Sequence, residues 1–179
     1  MDLDQRYGSA VPPQAHGLRQ GEDMFAPRSL VMLAETDDAP GIVGFMRAVQ
    51  ESCALSGFLS GGVTILWIID REGALRIAVE EAFSDGDRRI PLINDIKAML
   101  QQSGWSKLGH PSLLNEDKLG RIAGEATFLP GDNVWEINNL SGRYGLGLDR
   151  TATHLENVAG ILRASGLRII IDFNQLRMA

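Results

Sequence analysis

The chain has 179 residues, 44% hydrophobic and 22% charged, with a formal net charge of -6. The length suits one domain with a sizeable core, and the composition excludes wholesale disorder. The acidic balance argues against general electrostatic binding to nucleic acid, and no basic patch stands out.

Residues 1–27 read as a flexible N-terminal arm, with Gly8, Pro12, Pro13, Gly17 and Gly21 among mostly polar neighbours. The competing reading is a segment that docks on the domain or on a partner. Residues 28–179 then form a single domain. Ser29–Ala34 is a short apolar strand. Asp37, Asp38 and Pro40 signal a helix start, and the apolar face of Ile42, Val43, Phe45, Met46 and Val49 predicts a helix over 39–54. Val63–Ile69 is β-branched and apolar. Asp70-Arg71-Glu72-Gly73 is a turn, and 74–83 is the return strand of a hairpin. Leu92, Ile93, Ile96, Met99 and Leu100 recur at helical spacing and end at Gly104. Residues 105–119 read as a loop that carries His110.

Gly120–Leu129 is a strand, Pro130–Asn133 a turn, and Val134–Asn139 the strand that returns. Thr153 and Glu156 have capping-box spacing at the start of a helix that Gly166 ends. Leu167–Phe173 is a last strand. The order predicts an α+β fold: a largely antiparallel sheet built from two hairpins plus flanking strands, packed with about three helices.

Val63–Ile69 is the most apolar run, and seven residues fall far short of the roughly 20 that span a membrane. Met1–Arg6 carries two aspartates and no apolar core, unlike a secretory signal. The lone Cys53 leaves no intrachain disulfide or thiolate cluster, and it sits on a predicted helix as a structural thiol. These features give the expectation of a soluble, cytoplasmic protein without a membrane partner. No Gly-x-x-x-x-Gly-Lys-Ser/Thr loop, His-Glu-x-x-His or Gly-x-Ser-x-Gly elbow occurs.

The chemistry-bearing residues concentrate between His110 and Tyr144. His110 sits beside Pro111 and Ser112, and it reads either as a general acid or base or as a loop anchor bonded to backbone. Glu125 should lie on the strand face opposite Ile122, Gly124 and Phe128. It is either a solvated carboxylate or an acid–base partner. Asn138, Asn139, Ser141, Gly142, Arg143 and Tyr144 place amides, a hydroxyl, a guanidinium and a phenol within seven residues. Arg143 suits an anion clamp and Tyr144 a stacking or hydrogen-bonding role; the bland alternative is a self-bonded turn with Tyr144 in the core. His16 lies in the arm, and His154 in the first turn of a helix reads as solvated. With three histidines so dispersed, a catalytic zinc site is not expected.

Three short stretches carry a resemblance: His110-Pro111-Ser112-Leu113-Leu114, Ala123-Gly124-Glu125, and Asn139-Leu140-Ser141-Gly142-Arg143-Tyr144 before a helix ending at Gly166. In that order they resemble a module of bacterial polymorphic-toxin C-terminal regions, which is also similar to part of plant IQ-motif calmodulin-binding proteins. The match covers residues 110–166, and Arg143 stands where the module has a histidine. The resemblance implies an effector- or enzyme-like domain. In that reading His110, Glu125 and Tyr144 are catalytic and Ser112, Asn139, Ser141 and Arg143 bind the substrate; the arginine and tyrosine, not the resemblance, point to an anionic, nucleotide-like small molecule. The resemblance brings no settled reaction, the cofactor is unknown, and the chain has no IQ segment. The alternative is a non-catalytic protein–protein interaction module that uses the arm.

Overall fold

The structure is a computed structural model that describes residues 2–14, 17–33, 41–52, 62–84, 88–93, 104–145 and 149–175. Cys53, His16 and the predicted helical positions Ile96, Met99 and Leu100 lie outside the described residues. The fold is α+β. A six-stranded sheet has the order β1-β3-β2-β7-β8-β9, formed by Val31–Leu33, Leu75–Val79, Ile65–Asp70, Gly120–Leu129, Val134–Asn138 and Ile169–Asp172. Its neighbours are antiparallel except β8 and β9, which run parallel. A second sheet, β5-β4-β6, consists of Arg88–Pro91, Glu81–Ser84 and Ser106–Leu108. The helices are α1 (Leu3–Tyr7), α2 (Ile42–Glu51) and α3 (Ala152–Ala164).

The unbroken apolar run of β2 follows from burial on both faces of the sheet. Ile65, Trp67 and Ile69 join the main core, where Val43, Met46 and Val49 of α2 and Leu155, Val158 and Leu162 of α3 cover the sheet. Leu66 and Ile68 point the other way, into a smaller core with Ala78, Ala123, Leu113, Leu114 and Tyr144. The Asp70–Gly73 turn is as expected, with Gly73 at φ 88° and its amide bonded to the Asp70 carbonyl.

Three expectations change. The strand read over 74–83 is two strands in different sheets. Glu80 is the crossover: its amide bonds Thr64 O, and its carbonyl accepts from Leu92 N. The loop read over 105–119 holds β6, which pairs with β4, and a short 3-10 turn at His110–Leu113. The α3 cap is Thr151, whose Oγ1 accepts from His154 N at 3.3 Å, so the Thr153–Glu156 box does not form.

Residues 2–14 and 17–27 lie against the domain instead of forming a free arm. Tyr7 is 1% exposed and belongs to the main core. Val11 and Gly120 exchange both backbone hydrogen bonds, at 2.9 and 3.0 Å, which lays the segment beside the start of β7. Arg121 donates to the Gly8 carbonyl and pairs with Asp4, while Arg150 donates to the Ser9 carbonyl. Asn157 of α3 donates to Arg6 O at 2.8 Å. His154, expected in solvent, is buried, and burial lowers its pKa from the usual histidine value. Tyr7→Ala should therefore cost roughly 3 kcal/mol, the scale of truncating a buried aromatic. Urea unfolding of the two proteins measures it, and a loss under 0.5 kcal/mol, the scale of surface substitutions, would mean that the segment is not part of the cooperative unit.

Candidate functional site

The antiparallel ladder between β7 and β8 stops at Ala126–Ile137. Beyond it two buried backbone groups of β7 need other partners. Asn138 Oδ1 takes the Glu125 amide at 3.1 Å, and His110 Nε2 bonds the Gly124 carbonyl at 2.9 Å. Gly124 is required there, because a Cβ would stand 1.7 Å from Asn138 O. The Ala-Gly-Glu stretch is thus a place where one backbone passes tightly over another, with a side chain from the 3-10 turn closing the gap.

The 3-10 turn holds His110 in position. Leu113 and Leu114 sink into the smaller core, while Ser112 Oγ donates to Gly109 O at 2.7 Å. A carbonyl can only accept, so Nε2 carries the proton and Nδ1 of the neutral ring is a lone-pair acceptor. Nδ1 makes no hydrogen bond among the described residues. Burial drives the His110 pKa down to about 4, with the nearby cations Lys107 and Arg143 lowering it further and the Gly124 bond opposing. The ring is neutral at pH 7.

His110, Glu125, Ser141 and Arg143 line one cleft of about 370 Å³, together with Arg19, Lys107, Gly109, Leu140 and Gly142. The His110 turn and the 139–143 segment therefore meet around a shared cavity. Ser141 Oγ is buried there and has no hydrogen-bond partner among the described residues. An unmatched buried hydroxyl costs about 1–3 kcal/mol; Oγ has almost no accessible surface, so a bound molecule reaches it only when the side chain turns toward the cleft.

Three expected site residues stand elsewhere. The Tyr144 ring fills the smaller core, and its hydroxyl donates to Lys118 O at 3.0 Å. Burial raises its pKa above the usual phenol value. Asn139 is fully buried, bonding Gly145 O, Asn174 O and Asn174 N, so it ties the strand end to the chain after β9. Ser112 is occupied within its own turn. None of the three lines the cleft.

Arg143 reaches the cleft but is not a free anion clamp. Both terminal nitrogens bond the Glu22 carboxylate, Nη2 to Oε1 at 2.6 Å, and Nη1 also donates to Gly17 O. Glu22 is 0% exposed and accepts two more bonds, from Arg19 N at 2.7 Å and Gly109 N at 2.9 Å. A Cβ on Gly109 would collide with this pair, 2.4 Å from Arg143 Nη2. The sequence reading missed Glu22, Lys107 and Arg19. Glu22 lies 121 residues before Arg143 in a polar stretch without periodicity, and no local signal couples the two. Lys107 pairs with the buried Glu80.

The cleft is lined by an imidazole, a carboxylate and a hydroxyl, those of His110, Glu125 and Ser141. Among the described residues, no group of three or more His, Cys, Asp or Glu side chains is placed to hold a metal ion. No helix among them is long and apolar enough to cross a membrane. Compared with protein-family models, curated proteins and solved structures, the chain matches none of them.

Two predictions follow from this chemistry. Removing one partner of a buried ion pair leaves the other uncompensated, so Arg143→Ala should destabilise by about 3–5 kcal/mol in urea unfolding. Adding Glu22→Ala to it should recover part of that loss, and strict additivity would show that the two side chains do not interact. The second concerns pH. The folded-state value of about 4 for His110 lies below the roughly 6.5 of an unfolded histidine, so the unfolded chain binds the proton first. Stability should fall as pH drops from about 6.5 through about 4, by roughly 3 kcal/mol from this group. His110→Gln keeps an N–H for Gly124 and should flatten that part of the stability–pH curve. An imidazole titrating near 6.5 by NMR would contradict it.

Proposed function

We propose that the chain is an effector- or enzyme-like domain related to the toxin-associated modules, and that its cleft binds a small anionic molecule of nucleotide-like size. The observation that carries this reading is the unpartnered Ser141 hydroxyl in a cleft that also presents His110 and Glu125. Buried polar groups are normally matched within the protein; an unmatched one on a cavity wall suits a ligand that supplies the partner. A volume of about 370 Å³ lies in the range of small-molecule sites, about 300–1,000 Å³.

In this reading His110 is an acceptor first. A neutral imidazole with so low a pKa is a weak base, suited to orienting a ligand N–H or O–H. Glu125 takes a second donor, and Ser141 gives or takes a third bond. The Arg143 position, a histidine in the module, here serves the architecture, so any acid–base step assigned to that histidine would be lost. The interaction-module alternative relied on the arm, and the arm's most distinctive side chains, Tyr7 and Glu22, are buried in the same chain.

The test is calorimetric titration with the four ribonucleoside 5′-monophosphates, for the native chain and for His110→Ala, Glu125→Gln and Ser141→Ala, with circular dichroism to check the fold. Binding should weaken about tenfold or more in at least two variants, each factor of ten being 1.4 kcal/mol. No binding to the native chain, or equal binding by all three folded variants, would refute the proposal. Product analysis of the same mixtures separates turnover from simple binding.

A further inference from the structure

Three cationic side chains reach the cleft, and two of them already have carboxylate partners. Arg143 is held by Glu22 and Lys107 by Glu80. Arg19, in the N-terminal segment, makes no ion pair among the described residues, and its side chain is exposed on the cleft wall. Its backbone, by contrast, is anchored: the Arg19 amide bonds Glu22 Oε2 at 2.7 Å, and the Glu22 amide bonds Arg19 O at 3.1 Å. A guanidinium on a pinned backbone, lining the same cleft as Ser141, presents a planar donor fork suited to an anionic group.

We infer that Arg19, not Arg143, is the residue that binds the anionic group of the ligand, so that the N-terminal segment supplies one wall of the site. The inference rests on the ligand-binding reading above and adds to it the residue that recognises charge. It also gives the Glu22–Arg143 pair a second role. By fixing residues 17–22 against the His110 turn, the pair sets how far Arg19 stands from Ser141. A ligand bound this way places its phosphate or carboxylate at the rim, within reach of Arg19. Its uncharged part extends toward Ser141, His110 and Glu125.

The experiment compares each ribonucleoside 5′-monophosphate with its uncharged nucleoside, by calorimetry, on the native chain, Arg19→Gln and Arg19→Lys. Arg19 is exposed, so neither substitution threatens the fold. The native chain should prefer the monophosphate, and the preference should fall about tenfold or more in Arg19→Gln and less in Arg19→Lys. Because the charge is at the rim, native affinity should drop between 50 and 500 mM salt, with screening lengths of roughly 14 and 4 Å. Arg19→Gln should lose most of that salt dependence. An unchanged monophosphate preference in Arg19→Gln, with binding still weakened by Ser141→Ala, overturns the role of Arg19 and leaves the cleft reading intact. Absence of monophosphate binding to the native chain overturns both.

Discussion

The organisation of this molecule depends on one buried carboxylate. Glu22 is withdrawn from water, and a lone ion there would cost several kcal/mol. It is held by four donors: two guanidinium nitrogens of Arg143 and the amides of Arg19 and Gly109. Those donors belong to three segments far apart in the chain. Satisfying the charge therefore brings the N-terminal stretch, the turn before His110 and the segment after β8 to one point. Such a pair adds less net stability than its short contacts suggest, because desolvation offsets much of the attraction. Its larger effect is on register: few other arrangements of these three segments would leave Glu22 paired.

The same logic recurs at the edges of the smaller core. Glu81 accepts from Arg28 N, Ser29 N and Ser29 Oγ, and so ties the entry to β1 onto the second sheet. Arg121 and Arg150 bind the carbonyls of Gly8 and Ser9. In each case a charged side chain from the domain meets the backbone or a side chain of the first thirty residues. That stretch has few apolar residues to bury, so polar contacts carry its attachment, with Tyr7 as the main hydrophobic anchor.

This explains what could be read in the sequence. The elements with a strong period or an apolar run were legible: β2, β7 with the same bounds as predicted, the turn at Asp70–Gly73, and the helix that Gly166 ends with φ 81°. What could not be read was every contact set by charge across long separations. Glu22 and Arg143 have no spacing in common, and Glu80 gives no local hint that the strand changes sheet there. Tyr144 was misplaced for a related reason. Its phenol looks like site chemistry in sequence, but the ring covers β2 from the second face, where Leu66 and Ile68 need an apolar neighbour.

The arginine at position 143 follows from the same constraint. A histidine there could offer at most two divergent donors, and a carboxylate buried as Glu22 is needs a parallel pair. Arginine matches it bidentately. The consequence reaches His110. Two cations, Lys107 and Arg143, stand near an imidazole already deprived of water, and all three influences oppose its protonation. Between them they hold the ring neutral, with Nδ1 as a lone pair. His110 therefore stays neutral across the physiological range.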